Sequence, residues 1–373
     1  MRILIAGRGY SSRDKEELGI FEMDQLRALR AAGHDVRYAA VDTRSVRHDR
    51  PMGFRCLEYQ GIPVYYESLP GVPGSLQRRV QTVASARLWQ GIRRSGWTPE
   101  VVHAHFGASV LEKAKKLGIP CVYTEHLSMA NQESLTPGEL SWLRHTYALP
   151  DRLLCVSEAL AERIRVHVGT EARVVHNIVD TSIFSPSARR EPGKPFRFVS
   201  AGNLIPVKGF EELLTALGEI RARGADAALT ILGRGEQKER LLSLAESLNL
   251  GESVEFPGFV SRETMAEIYQ KADAFVLPSR AETFGVVYIE AMAAGLPVIA
   301  TACGGPADFV REDNGILVPV GDRSALARAM ERMIRARSGY DSAAIARFAR
   351  ENFSPAAIAG ELEAVYAEIC PRT

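Results

Sequence analysis

Paired cysteines, a charge imbalance and long apolar runs are all missing from this sequence, and each absence removes a class of protein. Five cysteines in 373 residues, Cys56, Cys121, Cys155, Cys303 and Cys370, are scattered without paired spacing. Their odd number closes no disulfide framework and fits reduced thiols in a cytoplasm. The formal net charge is only +1, which excludes a globally basic nucleic-acid binder, so no nucleic-acid partner is expected. No window approaches the roughly 18 apolar residues of a membrane-spanning helix. The N-terminal stretch MRILIAGRGYSSR runs from one short apolar strand into a loop, without the apolar stretch of a signal peptide. The expectation is a cytoplasmic protein whose membrane contact is at most peripheral, at the inner face.

What is present is average in composition and regular in rhythm. Hydrophobic residues make up 46% and charged residues 24%, the balance of a soluble globular chain, and the length exceeds what one core usually fills. Short apolar runs alternate with helix-period segments from end to end, which predicts doubly wound parallel sheets of the α/β class. Strands are expected at RILIAG, HDVRYAAV, VVHAH, PCVYT, RLLCV and RVV, with helices near 20–32, 77–94, 108–117 and 158–168. A proline-rich stretch without periodicity, SPSARREPGKP at 185–195, reads as a linker. The rhythm then restarts with strands at FRFVSAG, AALTILG, SVEFPG, AFVLP, PVIAT and GILVP. Helices are expected near 209–222, 236–248, 262–270, 285–294 and 323–336, and a last pair near 342–350 and 356–368. The chain therefore divides into a Rossmann-like domain at 1–184, the linker, a second such domain at 196–352, and a terminal helix at 353–373 that packs back toward the first domain. In such sheets ligands bind beyond the carboxyl ends of the strands, so two sheets facing each other would place a substrate in an interdomain cleft.

The segment AFVLPSRAETFGVVYIEAMAAGLPVIAT carries the strongest chemistry. A buried strand ends at Pro278, a loop follows, and a helix begins near Phe284 or Gly285. Unpaired backbone N–H groups of Thr283, Phe284 and Gly285 at that helix start would cradle a diphosphate or sugar hydroxyls. Glu282 stands just before the helix and Glu290 eight residues later. A helical carboxylate can accept two hydrogen bonds from a vicinal diol such as a ribose presents. The bland alternative makes Glu282 a first-turn acid and Glu290 a solvated residue. Yet Glu290 sits in VVYIEAMAAG, otherwise apolar or small, where an unpaired carboxylate would be costly.

In VSAGNLIPVKGFEELLTAL the strand ends at Gly202, and Lys208 with Gly209 stands where the next helix starts. A lysine there opposes the helix dipole and calls for an anion or solvent, which makes Lys208 a diphosphate ligand or else an exposed lysine. The glycines of LGRGE and CGGP follow strands, as turns or as places of close backbone approach. In the first half, Gly19 opens a helix, and YTEHLS places Glu125 and His126 just past a strand. His126 is read either as a hydrogen-bond partner of a sugar hydroxyl or as a structural histidine. His103 and His105 share one strand face but have no third ligand at metal spacing. No Asp-x-Asp occurs, so no metal site and no cofactor is expected, and a leaving diphosphate would rely on cations and helix dipoles.

In these residues the chain resembles the retaining glycosyltransferases of family 4, with the glycosyltransferase-B fold. The match rests on GIFEMDQLRALRAAGHDV, VVHAHFG, CVSEAL, VVHNIVDTSIF, GNLIPVKGF, LGRGE and ETFGVVYIEAMAAGLPVIAT, in this order over nearly the whole chain. The resemblance implies transfer from a nucleotide-diphosphate sugar with retention and without a metal. It also implies that Glu282, with the backbone of Thr283, Phe284 and Gly285, contacts the donor sugar, and that Glu290 holds the ribose. Lys208 would bind the diphosphate, Gly19 would lie at the phosphate and acceptor side, and His126 would approach the sugar from the other domain. Where many relatives carry an arginine after the glycine of the second segment, this chain has Asn203. Arg280 or Arg234 would then supply the missing cation, with Arg280 preferred for its closeness to Glu282.

A UDP-hexose or UDP-N-acetylhexosamine is the first donor expected, GDP-mannose the next, and the acceptor is a glycan or lipid-linked sugar of surface polysaccharide assembly. Residues 76–94 place Leu76, Val80, Val83, Leu88 and Ile92 near one helical face among arginines. That helix either lies on an anionic membrane or packs its apolar face in the core. A nucleotide-sugar epimerase or a non-catalytic nucleotide-sugar-binding protein would share the same architecture.

Overall fold

The computed structural model describes residues 1–7, 20–44, 51–72, 74, 76–105, 108–187, 195–336 and 339–370. Gly19, read above as a phosphate-side residue, and most of the 185–195 linker lie outside the described residues. The chain divides into two compact units, one of residues 1–156, 160–178 and 355–373, the other of residues 157–159 and 179–354.

The first unit runs β1 (Arg2–Gly7), α1 (Ile20–Ala31), β2 (Asp35–Asp42), β3 (Gly53–Tyr59), β4 (Ile62–Ser68), α2 (Leu76–Arg94), β5 (Val101–Ala104), α3 (Ala108–Lys116), β6 (Cys121–Glu125), α4 (Pro137–Tyr147), β7 (Arg152–Cys155), α5 (Glu158–Val168) and β8 (Arg173–Val174). Its sheet is ordered β3-β4-β2-β1-β5-β6-β7-β8, parallel except for the β3–β4 pair. The second unit runs β9 (Phe196–Ala201), α6 (Phe210–Ala222), β10 (Ala227–Leu232), α7 (Lys238–Ser247), β11 (Val254–Gly258), α8 (Arg262–Lys271), β12 (Ala274–Leu277), α9 (Val286–Ala293), β13 (Val298–Thr301), β14 (Gly315–Val318), α10 (Arg323–Arg335) and α11 (Ser342–Phe353). Its sheet, β11-β10-β9-β12-β13-β14, is parallel throughout. The last helix, α12 (Pro355–Ile369), belongs to the first unit.

Apolar strands buried on both faces are what a parallel sheet covered by helices requires. Val298–Thr301 and Ala274–Leu277 are buried at every position. In the first unit, Ile3, Ile5, Val36 and Leu29 share a core with Ile358, Leu362, Val365 and Tyr366 of α12. In the second, Phe275, Tyr288, Phe284, Phe309 and Phe353 stack in a chain of ring contacts, with centroids 5.3 Å apart for Phe275–Tyr288 and 5.7 Å for Phe309–Phe353.

Three sequence expectations need correction. The β3–β4 hairpin and α4 were not anticipated. The hairpin turns through Gln60 and Gly61, both with positive φ, and β3 is an edge strand with no fully buried residue and no apolar run to announce it. The helix after Pro278 starts one residue later than expected, at Val286, with Gly285 as its left-handed N-cap.

The third correction concerns α2. Its buried residues are Ala84, Ser85, Leu88, Trp89, Gly91 and Ile92, whereas Leu76 and Val83 are 54% and 52% exposed. At 3.6 residues per turn, Leu88 and Ile92 stand roughly 100° or more around the helix from Leu76 and Val83, so the five apolar residues do not form one face. Leu88→Ala should cost about 2–5 kcal/mol, while Val83→Ala should stay within about 0.5 kcal/mol. Urea denaturation of the two variants checks this, and equal losses would contradict the assigned buried arc.

Candidate functional site

In each sheet the strand order reverses at one point, and ligands of such sheets sit beyond the strand ends there. In the second sheet the reversal lies between β9 and β12. The loop after β9 carries Asn203, Lys208 and Gly209, and the loop after β12 carries Ser279, Arg280 and Glu282.

The two loops touch. Gly209 has φ +71°, and a Cβ there would lie 2.2 Å from the carbonyl oxygen of Pro278, so only glycine lets the backbones approach this closely. The approach brings Lys208 Nζ to 2.7 Å from Glu282 Oε1, and the Ser279 hydroxyl donates to the same oxygen at 2.7 Å. The pair is well shielded, its side chains 19% and 9% exposed. The stem of Lys208 runs along Gly202, 3.8 Å from where its Cβ would be.

CGGP completes the support of Glu282. The Glu282 N–H donates to Cys303 O and its carbonyl accepts from Gly305 N–H, both at 3.2 Å. A Cβ on Gly305 would lie 2.3 Å from Phe284 Cα, so this glycine too is a place of close backbone approach. Burial pushes the Cys303 thiol up to about 11, which makes it a neutral packing group beside the carboxylate. Phe284 buries its ring in the core at 1% exposure and so offers only its backbone. Ser157, one of three residues around 158 that belong to the second unit, donates to the Thr283 carbonyl at 2.6 Å. Among the described residues the backbone N–H groups of Thr283, Gly285, Val286 and Val287 donate no hydrogen bond, the donor-rich start of α9 that an anion would favour.

Glu290 lies within α9 and is 6% exposed. Arg262, the first residue of α8, reaches it, with Nη2 at 3.4 Å from Oε1. Neither this arginine nor Ser279 was singled out from the sequence. Ser279 stands inside the quoted segment and Arg262 opens an expected helix, and only the fold reveals what they touch.

The two arginines expected to replace a cation at Asn203 are engaged elsewhere. The Arg280 guanidinium pairs with Glu212 of α6 instead of turning to Lys208 and Glu282. Arg234 lies over the exposed ring of Phe259, 4.7 Å from its centroid. Asn203 itself is exposed.

In the first unit, His126 follows β6, is 8% exposed and stacks on Phe21 at 5.6 Å. His105 Nδ1 bonds His126 Nε2 at 2.8 Å. Behind it His103 is clamped between the hydroxyls of Tyr366 and Thr124, each at 2.7 Å. Burial, with a smaller contribution from His126, pushes His103 down to about 3, and burial also pushes His105 well below its ordinary value, so both are neutral near pH 7. Glu125 accepts from the Leu127 N–H at 2.6 Å and the Tyr147 hydroxyl at 2.8 Å and is structural.

Two α/β units, one with a lysine–carboxylate pair at its switch point beside a helix N-terminus, form a fold of the kind that takes ligands beyond its strand ends. Comparison with known proteins narrows this. The family model described as Glycosyltransferase Family 4 matches residues 23–183, and that described as Glycosyl transferases group 1 matches residues 183–351. The chain is 32% identical over 354 residues to a GDP-mannose-dependent alpha-mannosyltransferase of Mycobacterium tuberculosis, covering 86% of this chain and 84% of the relative. It is 28% identical over 358 residues to a D-inositol 3-phosphate glycosyltransferase of Acidothermus cellulolyticus, covering 86% and 78%. Among solved structures, sucrose-phosphate synthase of Thermosynechococcus elongatus superposes with a TM-score of 0.76 at 21% identity, covering 98% of each chain. Anabaena HepE in complex with UDP-glucose superposes with 0.72 at 18% identity, covering 99% and 100%. The chain belongs to family 4 of the glycosyltransferases, with the glycosyltransferase-B fold.

Proposed function

We propose that this glycosyltransferase moves a hexose from a nucleoside-diphosphate sugar, with retention of anomeric configuration and without a metal, to a glycan or lipid-linked acceptor in surface polysaccharide assembly. The observation that carries the donor half is the Lys208–Glu282 contact at the switch point of the second sheet. A lysine ammonium has three donors. One holds Glu282, and the others can reach a diphosphate. Glu282, kept in place by Lys208 and Ser279, accepts from sugar hydroxyls, and Glu290 accepts from the ribose.

For retention with no side-chain nucleophile, the acceptor hydroxyl attacks the anomeric carbon on the face the diphosphate leaves. The bond from that carbon to the phosphate oxygen breaks as the bond to the acceptor oxygen forms. The departing phosphate oxygen takes the hydroxyl proton. Lys208 and the N–H groups opening α9 stabilise the charge that develops on the diphosphate.

The GDP-mannose dependence named for the mycobacterial relative moves that donor ahead of the UDP sugars. A thermal-shift series over GDP-mannose, UDP-glucose and UDP-N-acetylglucosamine tests this. A ligand at 100 times its Kd adds roughly 2.7 kcal/mol, a rise of about 5–10 °C for a domain of this size. No rise with any nucleotide sugar would sink the donor-site reading. With a binding donor in hand, turnover that needs an acceptor, with an anomer in the product matching the donor by proton NMR, separates this activity from an epimerase or a non-catalytic binder.

A further inference from the structure

Glu290 is the one charged residue of α9, whose positions from Tyr288 to Ala293 are all buried. An isolated carboxylate there would shed its charge or destabilise the fold. Arg262 supplies a countercharge from the start of α8, where Ser261 caps the helix. The two side chains are only 24% and 9% exposed. The Arg262 guanidinium also lies 5.6 Å from the ring centroid of Phe184, which fixes its direction. Tyr269, two turns along the same helix, is fully buried and its hydroxyl has no hydrogen-bond partner among the described residues. Burial first, and the charge of Glu290 second, push that hydroxyl well above its ordinary value, so it stays protonated beside the carboxylate.

The length of the Arg262–Glu290 contact matters. A guanidinium placed for maximum strength closes to about 2.7–2.9 Å on a carboxylate, as Lys208 does on Glu282 at 2.7 Å. At 3.4 Å, Arg262 supplies countercharge at a longer distance than Lys208 does on Glu282. A carboxylate offers about four acceptor sites on its two oxygens, so this one contact does not exhaust them.

We propose that Arg262 is a positioning residue for ribose recognition. It orients Glu290 so that the carboxylate accepts from both the 2′- and 3′-hydroxyls of the donor nucleotide, and the site thereby prefers ribonucleotides to 2′-deoxyribonucleotides. This rests on Glu290 being the ribose ligand. Without Arg262 the carboxylate loses this countercharge and the contact that fixes its direction.

The test is calorimetric titration of the full chain with UDP against 2′-deoxy-UDP and GDP against 2′-deoxy-GDP. The wild type should favour the ribonucleotide by roughly 10-fold or more, the effect of one hydrogen bond to a charged group. Glu290→Gln and Arg262→Met should both bring the ratio to within about 3-fold, and Arg262→Lys, which keeps the charge and the stem, should recover part of it. The ratio is read on folded protein, with melting curves as the check, and Arg262→Lys serves where Arg262→Met fails to fold. A ratio lost in Glu290→Gln but unchanged in Arg262→Met would overturn the role of Arg262 and leave that of Glu290 intact. A ratio unchanged in both, or no binding of either nucleotide, would overturn the ribose reading itself.

Discussion

Lys208→Met should lower kcat by about 100- to 1000-fold, the scale of removing one preorganised group from a site of developing charge. The lysine stands at the end of the turn Pro206–Lys208, its stem against Gly202 and its ammonium on Glu282, so methionine replaces the stem and deletes only the charge. Because the proposed reaction builds charge on the diphosphate as the sugar departs, the loss should fall on kcat more than on KM. Asn203 adds no cation, and Arg280 is paired to Glu212, so neither takes over the role in the observed arrangement. Lys208→Arg is not a conservative change either, since a planar fork cannot occupy the position of a compact ammonium between two loops. Steady-state kinetics on the folded methionine variant decides the matter. A change confined to KM would remove Lys208 from the stabilisation of the leaving group.

Glu282→Gln should lower kcat/KM by about 10- to 100-fold. The amide keeps the shape and accepts from Lys208 and Ser279 through its oxygen, so the fold should lose only about 1–2 kcal/mol. In the proposed reaction, what goes is the anionic acceptor for sugar hydroxyls, together with the countercharge of Lys208. Because the two residues act through one contact, the double variant Lys208→Met with Glu282→Gln should fall short of the product of the single effects. Kinetics of the four proteins measures this coupling, and strictly multiplicative losses would mean the 2.7 Å contact has no part in the reaction.

The strands that flank these residues were readable because a parallel sheet buries both faces of each strand and so writes an uninterrupted apolar run, as in AFVL and VIAT. Boundaries of helices such as α6 and α8 followed from period and from flanking glycine or serine. The β3–β4 hairpin lacked such a mark, for its turn uses Gln60 in a left-handed conformation where asparagine or aspartate is the usual signal. The missed α4 did carry one, since Thr136 and Glu139 form a reciprocal capping box with Pro137 at the first helical position. Within the site, Glu282, Glu290 and Lys208 stood out by type and place along the chain. Their partners did not, because the pairings 208 with 282 and 262 with 290 are set by how loops and helices of separate βα units meet. The α2 arc was misjudged for a related reason, as apolar residues at both ends of a long helix need not face the same neighbour.

The α12 helix has a consequence for the order in which the molecule can be built. Ile358, Leu362, Val365 and Tyr366 complete the core around Ile3, Ile5 and Val36, so β1, which starts at Arg2, and α12, which ends at Ile369, share one interior. Residues 179–354 lie between them in the chain and leave the ribosome before α12 does. During synthesis the second unit therefore has its segments in hand first, and the first unit waits, its core open on one side, until residues 358–366 have emerged from the ribosome.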